Sequence, residues 1–412
     1  MKVAHYSPMP PERTGIADYS ALLVPELAKR VHLHVQKRGR RRPPRDADVC
    51  VYHVGNNADA HGWIVEALRL RPGVVVLHEF VLHHLVVGLT LARRDVATYL
   101  AAMEQQAGLV GRLLALGVVD RCVPPLWESR PEDFPLAGLV LDEATALIVH
   151  SRYVERRARE AGYEGPISVV PHPAWPASDV APAELGEGPL IGCLGHINPE
   201  KRIPQLLEAF AAVRETVPRA RLLLAGPVAP QFDLDARLQR LGLPEGALIR
   251  EGYVDERRFD SLMAACDVCV NLRAPTMGET SGSAIRALSL GKPLVVSDVG
   301  WFSELPDSVA AKVAPDEREV DVLAGVLAEL CTNASARIQM GGAARELAAG
   351  EHSVSRVADL YAGALESAAG GAAVRGAVLA EIASAAAESG IEPGSTPAAE
   401  LGGRLREAGL DG

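Results

Sequence analysis

The sequence predicts an α/β protein made of two doubly wound, Rossmann-like domains that face each other across a cleft. Three observations lead there. Short β-branched runs alternate with helical patterns, as in parallel sheets wrapped by helices. The alternation runs twice, on either side of a segment rich in proline and glycine. The length of 412 residues also exceeds what one hydrophobic core usually supports.

In the first series, strands are expected at 3–6, 49–54, 74–77, 147–150 and 167–170. The second has them at 190–194, 221–225, 248–250, 268–272 and 294–297. This gives an amino-terminal domain at 1–175, a linker at 176–189, a carboxyl-terminal domain at 190–350, and helices with a loose tail at 351–412 that pack back on the first domain. After Lys201, Ile203, Leu206, Leu207, Phe210 and Val213 recur at helical spacing, with Pro204 tolerable in the first turn. Residues 284–290 read as a helix entered from a small-residue loop.

Composition excludes several classes. A net charge of −10 argues against a nucleic-acid binder, because duplex affinity rests on neutralised phosphates. No apolar run reaches membrane-spanning length, and the chain opens on a strand rather than a leader, so a cytoplasmic location is expected. The run "KRGRRRPPR", from Lys37 to Arg45, is a solvated loop or a peripheral foot on anionic lipid or an acidic acceptor. The six cysteines are scattered and expected to be reduced. Cys266 and Cys269 form a C-x-x-C with no second pair for zinc, and no metal site is expected.

Chemistry is expected in the crevice, where carboxyl ends of strands and amino ends of helices converge. The loop "SPMPPERTGIADYS" offers Gly15 for close backbone approach and Asp18 in the first helical turn. In "HVGNNADAH", Asn56 and Asn57 are either sugar-hydroxyl contacts or ordinary turn residues. The apolar run "VVVLHEF" ends at His78 and Glu79, and His78 is the candidate for substrate contact. "LIGCLGHINPEKRI" brings His196, Lys201 and Arg202 to a helix start, the cationic arrangement that a departing diphosphate needs. In "PTMGETSGSAIRALSLGKP", Gly278, Thr280, Ser281 and Gly282 surround Glu279 and leave backbone N–H groups open at a helix amino end.

The Gly-His-x-x-P-E-K loop, the strand "LLLAGP", "EGYVDERRFDSLMAACDVCVNL", the Gly-Glu loop and "GKPLVVSDVGWFSELPD" together resemble retaining glycosyltransferase family 4 (group 1 glycosyl transferases), of the GT-B fold. The likeness runs from Val3 to about Tyr361 and is strongest between Leu190 and Asp307. It implies that Lys201 contacts the donor pyrophosphate, Glu279 and His78 the donor sugar, and that Gly15 lets a loop close over the phosphates. Two positions depart from the pattern. His196 stands where Arg is usual, which leaves pyrophosphate neutralisation pH-dependent or shared with Arg202 or Arg273. Arg286 stands where the second, ribose-binding glutamate would be, and pairs with Glu279 or Glu304, meets a donor anion, or forms a structural ion pair.

The expected activity is metal-independent, retaining transfer of a hexose-type unit from a nucleoside diphosphate-sugar, a substrate rather than a cofactor, to an acceptor hydroxyl. A non-catalytic nucleotide-sugar sensor and a nucleotide-sugar epimerase on the same architecture are the alternatives.

Overall fold

In the computed structural model, which describes residues 1–176, 180–230 and 232–407, twelve strands form two six-stranded sheets. The amino-terminal sheet contains β1 (Lys2–Tyr6), β2 (His32–Val35), β3 (Val49–Val54), β4 (Gly73–Leu77), β5 (Ala144–Val149) and β6 (Ile167–Val169). The carboxyl-terminal sheet contains β7 (Leu190–Leu194), β8 (Arg221–Ala225), β9 (Leu248–Glu251), β10 (Val268–Asn271), β11 (Leu294–Ser297) and β12 (Ala310–Val313). Every pairing is parallel, in the orders β2-β1-β3-β4-β5-β6 and β12-β11-β10-β7-β8-β9. Both orders reverse beside the first strand of the domain, and the crevice where such a reversal occurs is where ligands sit.

The central strands β3, β4 and β7 are buried along their whole length, which is why they read as unbroken apolar runs. β2 and β12 stand outside the expected set: both are four-residue edge strands, β2 with no residue fully buried and β12 with its middle residues only half buried, so neither has an apolar run to announce it. Part of the expected linker, 177–179, and the end of the tail from 408 lie outside the described residues.

Helix Val354–Glu388 crosses back to the first domain. Its Val357, Ala358, Tyr361 and Leu365 join Val3, Tyr19, Leu23 and Val74 in one core, and the Tyr19 and Tyr361 hydroxyls lie 2.6 Å apart.

The two domains also meet directly. Phe80 and Val81 N–H groups donate to the Met277 carbonyl at 2.8 and 3.0 Å. Glu304 reaches from the second domain to cap helix Arg152–Glu160, accepting from Arg152 and Tyr153 N–H at 3.1 and 2.6 Å. Glu132 accepts from Thr276 N–H at 3.2 Å. Gly278 lies inside this clamp with φ +81°, and a Cβ there would stand 2.8 Å from the Phe80 Cβ. Gly278→Ala is therefore expected to lose about 1–3 kcal/mol of stability through strain and steric separation of the domains. Gly15→Ala is the control, because a Cβ there meets nothing within 4 Å. Denaturant unfolding of the two variants side by side checks this.

Candidate active site

The cleft between the sheets has a volume of about 750 Å³. It gathers Gly15, Asn56, Asn57 and His78 from the first domain, and His196, Lys201, Arg273, Glu279, Thr280, Ser281, Gly282 and Arg286 from the second. Asp18 and Glu79 line it as well. A second cavity, of about 570 Å³, lies within the amino-terminal domain and holds none of the sequence-predicted site residues.

Lys201 closes a 3-10 turn, Pro199–Lys201, whose amino end is capped by the Asn198 side chain. Its ammonium group folds back under the end of β7 and donates to the Leu194 carbonyl at 2.9 Å. Only glycine permits this, since a Cβ on Gly195 would lie 2.6 Å from Lys201 Nζ. Burial holds the Lys201 pKa down at about 8, with Arg273 pulling the same way and Cys193 and Glu279 opposing. Arg202, its neighbour, turns away. It takes a left-handed backbone with φ 54° and pairs with the buried Glu319, so it does not reach the cleft as the sequence suggested. Of the two arginines weighed as partners of His196, only Arg273 lines the cleft.

Glu279 is gripped from three sides. Its Oε2 accepts from Met277 N–H at 2.7 Å and from the Thr276 hydroxyl at 3.3 Å, and its Oε1 lies 2.7 Å from Arg273 Nε. The Arg273 contact is an ion pair without hydrogen-bond alignment, because Arg273 Nε has no bonded partner. Both side chains are mostly buried, so the charges are only weakly screened. Next to them, helix Gly282–Ser289 begins two residues earlier than expected, with Ser281 as its amino-terminal cap. Thr280 Oγ1 is buried without a hydrogen-bond partner. An anion here meets a helix dipole, open N–H groups and two cations together.

Arg286 pairs with neither Glu279 nor Glu304. Its two terminal nitrogens donate to Asp260 and Glu256, each at 2.8 Å, and its guanidinium lies 4.3 Å from the Trp175 ring centroid. Both acids come from helix Glu256–Ala265. Glu304 is the interdomain cap described above, not a cleft residue.

The asparagines chiefly build the first-domain loop. Asn57 Oδ1 caps helix Ala58–Leu70, and Asn56 Oδ1 accepts from Leu85 N–H at 2.9 Å. His83 is likewise structural, contacting the Phe134 carbonyl at 2.8 Å and the Tyr99 hydroxyl at 3.0 Å.

His78 belongs to a buried aromatic array that lines the cleft together with Tyr19, His150 and His172. Its Nε2 lies 3.0 Å from His53 Nδ1, so the pair shares one proton. Tyr19 packs against His53, His78, His150 and His172 at centroid distances of 5.7, 4.7, 5.2 and 4.9 Å. Burial pushes the pKa of His150 down to about 4 and of His172 to about 3, and lowers His53 and His78 well below the ordinary range. The array is neutral at neutral pH. His78 thus presents a neutral imidazole to the cleft, fitted to hydrogen-bond a hydroxyl. Among the described residues, no group of three or more His, Cys, Asp or Glu side chains is arranged to hold a metal ion.

Sequence reasoning passed over Glu79 as a site residue. It stands two residues beyond the end of β4, and burial, reinforced by Glu279, pushes its pKa up to about 7, with Arg273 and the Asn56 N–H acting in the opposite direction.

Residues 188–333 match the family model described as "Glycosyl transferases group 1". The uncharacterized glycosyltransferase YqgM of Bacillus subtilis (strain 168) is 27% identical over 169 residues, which is 40% of this chain and 45% of that protein. The match therefore spans less than half of the relative. Among solved structures, HepE of Anabaena in complex with UDP and glucose is 16% identical and covers 89% of this chain and 100% of its own, with a TM-score of 0.59. Sucrose-phosphate synthase from Thermosynechococcus elongatus is 19% identical, covering 87% of this chain and 96% of its own, with a TM-score of 0.57. The fold is GT-B. Within it, residues 188–333 carry the domain described as group 1 glycosyl transferases.

Proposed function

We propose that this chain moves a hexose-type sugar, with retention and without a metal ion, from a nucleoside diphosphate-sugar to an acceptor hydroxyl. One observation carries the reading. Buried Lys201, the Arg273–Glu279 pair and the amino end of helix Gly282–Ser289 converge on the second-domain wall of one cleft, opposite neutral His78. A leaving diphosphate gains charge as the sugar–oxygen bond breaks, and fixed cations and dipoles stabilise that charge without reorganising solvent. Lys201 and Arg273 hold the phosphates, Glu279 and His78 hold sugar hydroxyls, and the loop at Gly15 covers the phosphates from the first domain. That HepE has been solved with UDP and with UDP-glucose supports a nucleotide-sugar ligand for a cleft of this architecture.

The acceptor enters from the first domain. The loop after β2 emerges at the carboxyl end of that sheet, and Arg38 ties it to the cleft-lining side through Glu12 and the Asp59 carbonyl. Arg41 is occupied by Glu66. Lys37, Arg40, Arg42 and Arg45 remain exposed, a rim suited to phosphate or carboxylate groups on an acceptor or lipid headgroup. No helix among the described residues is long and apolar enough to cross a membrane. A cytoplasmic enzyme, in peripheral contact with membrane where its acceptor is a lipid, accords with these features.

The non-catalytic sensor is favoured by one feature, the locking of Arg286 between Glu256 and Asp260 where the resemblance implies a ribose-binding acid. Thermal stabilisation by a panel of nucleotide sugars, followed by assay of donor consumption with mixed acceptors, separates the readings. Binding without consumption would establish the sensor. The binding step has its own signature. A diphosphate beside Lys201 favours the charged ammonium, so its pKa rises from about 8 and protons are taken up on binding near pH 8–9. Calorimetry in buffers of different ionisation enthalpy measures that uptake, which is expected to vanish in Lys201→Met.

A further inference from the structure

Resting on the transferase reading, we propose that His53 is a positioning residue for the donor sugar: it fixes the tautomer of His78 so that an Nδ1–H group faces the cleft as a hydrogen-bond donor to a sugar oxygen. His53 belongs to β3, is fully buried, and lies behind the cleft wall rather than in it. Its Nδ1 stands 3.0 Å from His78 Nε2. The other nitrogen of His78, Nδ1, has no partner among the described residues and is not one of the buried, unbonded polar atoms, so it is the nitrogen that opens to the cleft.

Two neutral rings joined in this way have two arrangements. In one, His53 Nδ1–H donates to a bare His78 Nε2; the proton of His78 then stands on Nδ1, toward the cleft, and His53 Nε2 is bare. In the other, His78 donates, its cleft nitrogen is a bare acceptor, and the proton of His53 is driven onto Nε2. The surroundings decide between them. His53 Nε2 is buried with no hydrogen-bond partner, and a buried N–H without an acceptor is the rarer kind of orphan. The ring of His5 lies 4.6 Å from that of His53 between centroids, with neither of its own nitrogens bonded. Since His5 must keep one N–H, a second orphan N–H beside it would find no acceptor, whereas a bare nitrogen adds one.

The neighbouring rings follow the same pattern. His61, His150 and His172 each place Nδ1 on a backbone carbonyl, of His53, Val170 and Pro173, at 3.0, 2.8 and 2.8 Å. A carbonyl only accepts, so all three hold their proton on Nδ1 and leave Nε2 bare. The first arrangement gives His53 the same form. His78 consequently reads an oxygen lone pair, and the hydroxyl that it meets keeps its own hydrogen for another acceptor.

The test uses the full chain, with UDP-glucose and UDP as probes. Nitrogen-15 NMR of labelled histidine, assigned by the signals lost in His78→Phe, is expected to show His78 protonated on Nδ1 and bare on Nε2 in the ligand-free protein. Removing the His53 N–H in His53→Phe should release that tautomer and lower affinity for UDP-glucose about tenfold, while affinity for UDP stays within about threefold. His53→Asn, whose side-chain N–H can stand in for Nδ1, should recover most of the loss. A merely structural role would lower both affinities together and leave the His78 proton in place, and that result would overturn the proposal. Should His53→Phe fail to fold, the wild-type spectrum and His53→Asn still decide. Absence of nucleotide-sugar binding by the wild type would overturn the sugar contact and the transferase reading together; binding by the wild type with His78 protonated on Nε2 would exclude the role of His53 alone.

Discussion

Lys201→Met is expected to abolish transfer while leaving the protein at least as stable as the wild type at neutral pH. The two effects share one cause. Lys201 is 6% exposed, and burial drops its pKa from 10.5 to about 8. Such a shift corresponds to about 3 kcal/mol of penalty on the charged form, offset in part by the hydrogen bond to Leu194. Because the folded pKa is the lower one, the penalty is fully present below about pH 8 and fades as pH rises toward 10.5, where the unfolded lysine also loses its proton. Methionine fills the same space without charge. Its stability advantage should therefore be largest at neutral pH and shrink through pH 8–10, as urea unfolding at several pH values would show. Turnover should fall by at least ~100-fold, since a cation placed against a developing oxyanion contributes mainly in the transition state. A variant that is destabilised at pH 7 and yet turns over normally would refute both the burial and the role.

How much of this was legible in the sequence depended on whether a feature was local. Lys201 and Glu279 lie in loops directly after apolar strands, so their neighbours along the chain already describe their setting. The two sheets were legible for the same reason, apart from the edge strands β2 and β12. Arg286 could not be resolved in that way. Its partners Glu256 and Asp260 lie 30 and 26 residues upstream on another helix, and nothing in a linear pattern selects them over Glu279 or Glu304. Glu304 illustrates the converse: a carboxylate in a family-like motif serves as a helix cap for the opposite domain, 152 residues away. Asn56 and Asn57 were open between ligand contact and turn, and their side-chain oxygens are spent on Leu85 and on a helix amino end. Glu79 was visible as a residue, but its burial and the charge of Glu279 across the cleft, which together raise its proton affinity, are settings that only folding supplies.

Glu279→Gln is expected to reduce transfer by about 100- to 1,000-fold with a much smaller effect on folding. A glutamine keeps one oxygen for Met277 N–H, which lies 2.7 Å from the native carboxylate, so the loop retains its main tether. It loses the charge that faces Arg273 at 2.7 Å and presents in its place either an amide N–H or a neutral oxygen. Removing one partner of a buried pair leaves the other uncompensated, but both groups here keep about one-sixth of their surface in solvent. The stability loss should accordingly stay near 1–3 kcal/mol, as the urea midpoint would report. A rate close to wild type would remove Glu279 from the donor site altogether.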